Sequence, residues 1–269
     1  MRSIGALGAV AAVAAAAGCG GDEEEAAKAV RLDVTVMDSG GLAYSAPRRI
    51  RAGLVRMTLR NEGRRRHKAQ LFRVDGNHSI AEARRVRRRL PRWFRWEGGV
   101  GMTAPGGRAS ITQRLQPGRY YITGNRGEPA RVAPLTVVGD RGDADLPDSG
   151  GSIVFREYNF SANGLRPGTN SLEIVNEGLE PHHAVVAPVR RGSSVAELRR
   201  FLRGRGPIPV GEIVNLRGAV ETSVIEGGQK QLVNVRLSPG KYALLCFVPD
   251  RRGGPAHVVK GMVDEVTVR

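Results

Sequence analysis

Long apolar runs are missing from this sequence of 269 residues. The most apolar stretch lies in residues 1–18, which is shorter than the roughly 20 residues that a bilayer-spanning helix needs. It includes Arg2 near its start and ends in small residues, a layout typical of a secretory signal with its cleavage site. We therefore predict a signal peptide over residues 1–18 of an exported protein, and no transmembrane helix.

Cysteine is nearly absent as well, with Cys19 and Cys246 as the two thiols of the chain. Residues 16–19 resemble the bacterial lipobox, in which the cysteine after the cleavage site is acylated, although Ala16 stands where leucine is usual. The resemblance predicts lipidation of Cys19 and a membrane lipid anchor, with an acidic tether over residues 19–29. The alternative is ordinary cleavage, with Cys19 left as an unmodified thiol.

An acylated Cys19 leaves Cys246 as the single free thiol of an exported chain. Thiols oxidise outside the cytoplasm, and Cys246 then has no partner with which to form an intramolecular disulfide. The Cys246 side chain is therefore expected to be either buried and inert or bound to a metal ion.

Common catalytic motifs are missing too. The sequence shows no nucleophile arrangement, no pattern of paired carboxylates and no phosphate-binding loop. From this absence we predict that the protein is not an enzyme.

Acidic residues are outnumbered, with 26 against 42 lysines and arginines, which gives a formal net charge of +16. A strongly basic protein outside the cytoplasm meets anionic lipid or wall polymer, so we expect no nucleic-acid partner. The basic segment, residues 84–96, also contains Trp93, Phe94 and Trp96, a mixture that suits an anionic membrane surface. The alternative is a solvated helix end whose aromatic rings pack on the fold, with Pro91 ending the helix.

The sequence does contain a repeat without gaps at an offset of 115 residues. Residues 61–85 and 176–200 share an Asn-Glu-Gly turn, a histidine four residues after the glycine, an alanine two residues further on and a short helical segment. The similarity returns in residues 115–125 and 237–247. We predict two copies of one domain, joined by a linker. Their ranges are 30–138 for the first domain, 139–151 for the linker and 152–269 for the second domain.

Both copies have the pattern of a mainly β protein. Each contains six short runs rich in β-branched and apolar residues, bounded by glycine, proline and asparagine. Such runs predict two tandem Greek-key β-sandwich domains. One short inserted helix per domain is predicted by the capping boxes of Ser79 with Glu82 and of Ser194 with Glu197.

The second copy carries a pattern that resembles the blue-copper cupredoxins of the plastocyanin and azurin type. The matching residues are Asn176, Gly178, Pro181, His182, Cys246, His257 and Met262. The resemblance implies a cupredoxin-like fold with one type 1-like copper ion held at one end of the sandwich by His182, Cys246, His257 and Met262. Two imidazoles, a thiolate and a weak thioether are also what copper prefers on chemical grounds, whereas a thioether disfavours zinc.

Two adjacent histidines, His182 and His183, compete for the first ligand position. Strand alternation in the first copy places His67 on the face that we expect to point inward, and Lys68 on the other face. His182 aligns with His67 and is the predicted ligand. His183 aligns with Lys68 and is predicted to be an exposed or edge residue.

The first copy lacks the remaining ligands. Gly124 stands in place of Cys246, and residues 126–138 contain neither histidine nor methionine. Since a lone imidazole cannot hold a tight mononuclear site, we predict that the first copy keeps the scaffold without the metal.

Taken together, these features predict an exported, membrane-anchored copper protein that transfers electrons, with a redox protein as partner, or carries copper. The alternative is a metal-free binding or structural module of the cell envelope. In that alternative Cys246 is a core residue and the basic surface performs the function.

Overall fold

The computed structural model describes residues 29–86, 89–124, 132–140, 142–204 and 210–269. The predicted signal peptide, Cys19 and all of the predicted tether except Ala29 lie outside these residues. None of the helices within the described ranges is long and apolar enough to cross a membrane. The described chain is mainly β, which confirms the predicted fold class.

Strands occur throughout both halves of the chain, which we name the N-terminal half (residues 30–138) and the C-terminal half (residues 151–269). The strands of the N-terminal half are β1 (Val30–Met37), β2 (Ala43–Ser45), β3 (Arg49–Arg51), β4 (Gly53–Asn61), β5 (His67–Val74), β6 (Phe94–Thr103), β7 (Arg108–Leu115), β8 (Gly118–Thr123) and β9 (Ala133–Val138). Those of the C-terminal half are β10 (Gly151–Arg156), β11 (Asn159–Asn163), β12 (Gly168–Asn176), β13 (Val185–Pro188), β14 (Val220–Glu221), β15 (Lys230–Leu237), β16 (Gly240–Leu245) and β17 (Val263–Val268).

One eight-stranded sheet runs through both halves, in the order β11-β10-β12-β15-β7-β4-β1-β2. The two halves join where β15 pairs with β7 in antiparallel fashion, residues 231–233 against residues 111–113. The opposing layer is divided into a five-stranded sheet of the N-terminal half, β3-β9-β8-β5-β6, and a four-stranded sheet of the C-terminal half, β14-β13-β16-β17. The result is two β sandwiches that share one continuous sheet.

Alternation of apolar and polar residues accounts for the sandwich core. In β9, Ala133, Leu135 and Val137 are buried, while the residues between them are exposed, as the two-residue period of a strand requires. The inward side chains of both halves join one apolar core, to which the C-terminal half contributes Phe155 and Leu244. Burying one such large side chain contributes about 1.5–3 kcal/mol relative to exposure.

The two predicted capping boxes begin helices α1 (Ile80–Arg85) and α2 (Val195–Leu202). In both, the serine side chain accepts a hydrogen bond from the glutamate amide, and the glutamate carboxylate accepts one from the serine amide. The C-terminal half contains more helix than the single one predicted, namely α3 (Val210–Ile213) and a 3-10 turn (Leu216–Gly218).

The basic segment does not continue helix α1. The helix ends at Arg85, so the prediction that Pro91 ends it was wrong. Phe94 opens β6 and is buried, and its ring centroid lies 5.0 Å from that of Phe72 and 4.9 Å from that of Trp96. These aromatic rings therefore belong to the packing of the sandwich.

Candidate metal centre

Three donor side chains that are distant in the sequence meet in the C-terminal sandwich. His182 lies in the segment before β13, Cys246 directly follows β16, and His257 lies in the loop that leads to β17. The Cys246 Sγ atom is 3.8 Å from Nδ1 of His182 and 3.5 Å from Nδ1 of His257. The two Nδ1 atoms are 2.9 Å apart, and all three residues are fully buried.

These separations fit one shared metal ion. Nitrogen and thiolate ligands lie about 2.0 and 2.3 Å from an ion such as zinc, so two donors of one ion are about 3 to 4 Å apart. The three distances between the donor atoms, from 2.9 to 3.8 Å, agree with this spacing. Since imidazole and thiolate are donors that suit redox-active copper, the buried group of His182, Cys246 and His257 fits a type 1 copper site.

Backbone hydrogen bonds hold the loop from Cys246 to His257 in shape. The amide of Val258 donates to the carbonyl of Cys246 at 2.7 Å, and the amide of His257 donates to that of Val248 at 2.9 Å. Burial raises the pKa of the Cys246 thiol to about 12, although the backbone N–H groups of His183 and Val248 donate to the sulfur and lower the pKa. The thiol therefore keeps its proton at neutral pH until a cation replaces that proton.

A carboxylate orients the His257 ring. The Nε2 atom of His257 lies 2.9 Å from Oδ1 of Asp250, so Nε2 carries the ring proton and Nδ1 presents its lone pair toward Cys246. Burial lowers the pKa of His257, which keeps the ring neutral at pH 7. Asp250 is fully engaged, because it also accepts hydrogen bonds from the Tyr158 hydroxyl at 3.0 Å and from the Lys260 amine.

Tyr158 and Lys260 cover the outer side of His257. The Tyr158 ring centroid is 5.3 Å from that of His257, and the Lys260 amine donates to the Tyr158 hydroxyl at 2.9 Å. Tyr158 has a φ of 59°, the one positive value among the described residues other than glycine. This conformation costs about 1–3 kcal/mol, and the contacts with Asp250, Lys260 and His257 hold the residue in place.

Glu180, Asp250 and His257 form a second group of donors within 4.8 Å of one another. The Glu180 carboxylate accepts a hydrogen bond from the Arg251 amide at 2.6 Å, and Asp250 has the three partners described above. These donors therefore already have protein partners, and the group supports the His257 ring.

The turn before His182 is tied by a buried asparagine, and the same turn recurs in the N-terminal half. The Asn176 amide donates to the carbonyls of Glu180 at 2.8 Å and Ile225 at 3.0 Å, and accepts from the amide of Gly178 at 3.0 Å. Asn61 makes the same three contacts with Arg65, Thr103 and Gly63. The repeated Asn-Glu-Gly sequence thus encodes a hydrogen-bonded turn that places a histidine at a fixed distance beyond it.

An acidic residue after the first strand of each half clamps this turn, and the sequence analysis missed both. Glu157 accepts hydrogen bonds from the amides of Leu179 and Glu180, the latter at 3.0 Å. Asp38 accepts one from the amide of Arg64 at 2.9 Å. The signal that the two halves share is a carboxylate directly after β1 and directly after β10. It was overlooked because one half has a glutamate where the other has an aspartate, and because the offset of the repeat changes at this position.

His182 is the histidine that faces Cys246. It pairs with Ile225 through two backbone hydrogen bonds of 2.9 and 3.0 Å, an isolated β-bridge that fixes the backbone of the ligand residue. Burial lowers the pKa of His182 to about 3, and the neighbouring His257 lowers it further. Its Nε2 atom has no hydrogen-bond partner among the described residues, whereas its Nδ1 atom faces the Cys246 sulfur at 3.8 Å.

His183 is buried, and the prediction of an exposed or edge residue was wrong. Its Nε2 atom accepts a hydrogen bond from the Phe247 amide at 3.1 Å. Burial lowers the pKa of His183 to about 4. This histidine therefore supports the chain next to Cys246 through its ring and its own backbone amide.

Met262 lies in the same apolar core as Cys246 and is fully buried. Its backbone amide donates to the carbonyl of His257 at 2.9 Å, so the residue is tied to the same loop. Its role as a weak fourth ligand stays a prediction.

The N-terminal half retains one imidazole at the equivalent position. Nε2 of His67 lies 3.0 Å from Oδ2 of Asp38, and its buried Nδ1 has no hydrogen-bond partner in the part of the chain that the structure describes. Gly124, which follows β8 as Cys246 follows β16, supplies no donor side chain. The sandwich of this half thus keeps the turn and the histidine without the thiol.

Two facing sheets, with a histidine, a cysteine and a second histidine converging beyond the strand ends, form the arrangement that the sequence resemblance implied. This arrangement resembles the metal site of a cupredoxin fold. The cupredoxin-like site is suited to copper binding and to electron transfer, because its donors tolerate both oxidation states of copper.

No protein-family model matches this cupredoxin-like chain, and no curated protein matches it. Among solved structures, the Na-dithionite reduced auracyanin from Roseiflexus castenholzii is 18% identical, over 44% of this chain and 94% of its own, with a TM-score of 0.29. The copper nitrite reductase from Nitrosomonas europaea is 13% identical over 89% of this chain and 94% of its own, with a TM-score of 0.25. A multicopper oxidase is 12% identical over 89% and 88%, with a TM-score of 0.25.

The prediction that the protein is not an enzyme was wrong. It is overturned by the matches to a copper nitrite reductase and a multicopper oxidase, since the names of both describe enzymes. The physical reason is that redox catalysis at a metal ion needs neither a nucleophile arrangement nor paired carboxylates. The absence of those motifs therefore did not exclude catalysis.

Proposed function

We propose that the cupredoxin-like protein binds one copper ion in its C-terminal half and uses it for electron transfer or copper carriage. The observation that supports this most directly is the convergence of His182, His257 and Cys246, whose donor atoms lie 2.9 to 3.8 Å apart in a fully buried position. Polar groups buried for packing alone are costly, because apolar side chains fill the same volume without loss of hydration. Met262 is the proposed weak fourth ligand.

Bound copper would supply a centre that gains and loses one electron at a time. The protein holds the donors in the form that binds a cation. His182 and His257 are neutral at pH 7, since burial lowers the pKa of both rings. Cys246 must release its proton on binding, and the N–H groups of His183 and Val248 then stabilise the charge on the sulfur.

Electron transfer requires a partner, and the proposed partner is a redox protein that docks over the ligand loops. The two loops that carry the ligands, before β13 and between β16 and β17, expose three large apolar side chains. These are Leu179, Phe247 and Val259, which are 85%, 38% and 49% exposed. Exposed apolar side chains with polar surroundings are typical of protein interaction sites.

Export and a lipid anchor at Cys19 complete the proposal. The signal-like layout of residues 1–18 and the lipobox-like residues 16–19 support both. A protein anchored in this way faces the extracytoplasmic side of the cell membrane. The net charge of the full sequence, +16, favours approach to anionic lipid.

Copper titration of the purified protein tests the proposed function. Added Cu(II) should produce the strong visible absorption of a copper-bound thiolate, with one copper per chain by mass. Cys246→Ser and His257→Ala should lose this band while they still unfold cooperatively on heating. A band that persists without Cys246, or no copper bound by the unaltered protein, would overturn the proposal and favour the metal-free envelope module.

A matched pair of variants identifies the first imidazole ligand. His182→Ala should lose the absorption band. His183→Gln should keep it, because Nε2 of His183 is occupied by the Phe247 amide. The opposite result would show that the strand-alternation argument for His182 fails.

A further inference from the structure

Arg251 lies inside the loop that joins two of the proposed ligands. It follows Cys246 by five residues and precedes His257 by six. Ten residues therefore separate the two donors, and a loop of this length keeps one conformation only if further contacts offset its conformational entropy. Arg251 joins this loop to the N-terminal half through hydrogen bonds of both its side chain and its backbone.

The guanidinium group of Arg251 bridges both halves of the molecule. Its Nη1 atom donates to both carboxylate oxygens of Glu226 at 2.6 Å. Its Nη2 atom donates to the backbone carbonyls of Pro91 at 2.8 Å and Phe94 at 2.7 Å. The Arg251 carbonyl in turn accepts a hydrogen bond from the amide of Leu90 at 2.7 Å. One residue of the ligand loop thus makes three hydrogen bonds to the segment that enters β6.

The backbone of Arg251 also reaches the loop that carries His182. Its amide donates to a carboxylate oxygen of Glu180 at 2.6 Å, and the carbonyl of Glu180 is held by the Asn176 side chain. The residue before Arg251 is Asp250, which orients the His257 ring. The contacts of Arg251 therefore bear on the positions of both histidines.

The acidic partner, Glu226, is itself part of the junction between the halves. Its side chain is 5% exposed and also accepts a hydrogen bond from the Trp96 amide at 2.9 Å. It directly follows Ile225, whose backbone pairs with that of His182. The ion pair between Arg251 and Glu226 therefore links the ligand loop to the segment that pairs with the backbone of His182.

We propose that the N-terminal half, whose described residues form no such ligand set, acts as a clamp on the copper site through Arg251. Arg251 is a positioning residue that holds the Cys246–His257 loop in the ligand-binding shape before any metal binds. An arginine suits this role because its planar, rigid set of donors can engage a carboxylate and two carbonyls at once, whereas a lysine amine is a single charged point. This inference rests on the proposed copper site.

Hydrogen exchange of the metal-free protein tests the clamp without copper. In Arg251→Gln, the amides of His257 and Val258, which are hydrogen-bonded within the loop, should exchange about tenfold faster or more, because charge-assisted hydrogen bonds are lost. Amides of β15 should exchange as before. The control is Arg252→Gln, which removes the same charge from the next, exposed residue and should leave the loop unchanged.

Copper binding provides the second measurement. In a competition titration, Arg251→Gln should bind copper about 10-fold to 100-fold more weakly, as losses of outer contacts at metal sites do, and its visible absorption band should shift. Arg252→Gln should match the unaltered protein. If Arg251→Gln does not fold, Arg251→Lys tests the clamp instead. It keeps the charge beside Glu226 but loses the hydrogen bonds to the two carbonyls, and should show the same faster exchange and weaker copper binding to a smaller extent.

The outcomes separate this inference from the proposed function. If the unaltered protein binds copper and the Arg251 variants match it in loop exchange and in affinity, the clamp is refuted and the copper site stands. If the protein without substitutions binds no copper, the proposed function fails. If, in addition, the loop amides of the Arg251 variants exchange at the same rate as those of that protein, the clamp is refuted as well. Faster loop exchange confined to the Arg251 variants would support it.

Discussion

Glu97 is a buried carboxylate at the junction of the two halves, and its replacement by glutamine should stabilise the protein above neutral pH. The residue lies in β6, is 6% exposed and accepts a hydrogen bond from Nε2 of Gln229 at 2.5 Å. The nearest cations are Arg73 and Arg95, whose Nε atoms lie 3.5 and 3.7 Å from Oε1. Burial raises the pKa of Glu97 to about 7, although both arginines lower it.

The magnitude follows from the difference between the folded and unfolded states. The pKa of Glu97 is 4.5 as an ordinary glutamate and about 7 in the folded protein, so the folded state binds the proton more tightly. The stability contributed by this proton is complete below pH 4.5, falls as the pH rises, and is lost above pH 7. At about 1.4 kcal/mol per tenfold change in proton affinity, the loss is about 3 kcal/mol. Glu97→Gln keeps the size of the side chain and cannot ionise.

Urea unfolding at pH 4.5, 6 and 8 measures this effect. Glu97→Gln should exceed the unaltered protein by up to about 3 kcal/mol in free energy of unfolding at pH 8, and the difference should shrink toward zero at pH 4.5. Glu62→Gln is the control at an exposed carboxylate, 48% accessible, and should change stability by less than about 0.5 kcal/mol. A Glu97 variant that is less stable at pH 8 would refute the reasoning, because the ion pairs with Arg73 and Arg95 would then outweigh burial.

Three further predictions follow from the site and its turns. Asp250→Asn should weaken copper binding by about 10- to 100-fold in a competition titration, because it removes the carboxylate that orients His257; equal affinity would contradict this. Asn176→Ala and Asn61→Ala should each lower the free energy of unfolding by about 1–3 kcal/mol in urea, and a loss of copper affinity in the Asn61 variant alone would count against the assignment of the site. Cys19→Ala should abolish labelling by radioactive palmitate, and labelling that persists would rule out this anchor.

The strands that follow simple alternation were predicted from sequence as six runs in each half, whereas the short strands β2, β11 and β14 and the long strand β6 were missed. Its sequence contains Gly98, Gly99 and Gly101, which weaken the strand pattern. The structure explains these glycines, because a side chain on Gly101 would meet the carbonyl oxygen of Glu221 at 1.7 Å. The other two have φ values of 68° and 125°, which only glycine adopts readily. The requirement at Gly101 comes from the neighbouring half, and none of the three glycines leaves a periodic signal in the chain.

The candidate site was predictable in its chemistry and less so in its surroundings. Cys246 and His257 were recognisable because thiols and imidazoles are scarce in this chain, and the repeat singled out His182. The supporting roles of Asp250 and Arg251 were not recognisable from sequence, because acidic and basic residues are common in loops and the partners of these two are distant in sequence. The burial of His183 was mispredicted because strand alternation describes a regular sheet, and His183 precedes the first residue of β13.

Residue order alone establishes the local features: strand periodicity, the two capping boxes, the repeated turn and the kinds of donor available. These depend on neighbours a few residues apart, so short-range rules are enough. Which donors meet depends on contacts across 64 and 75 residues of chain. The pairing of β15 with β7 and the hydrogen bonds of Arg251 to the N-terminal half also depend on contacts between residues that are distant in sequence. Such contacts form only when the sheets close, because their strength lies in burial and geometry that no local pattern encodes.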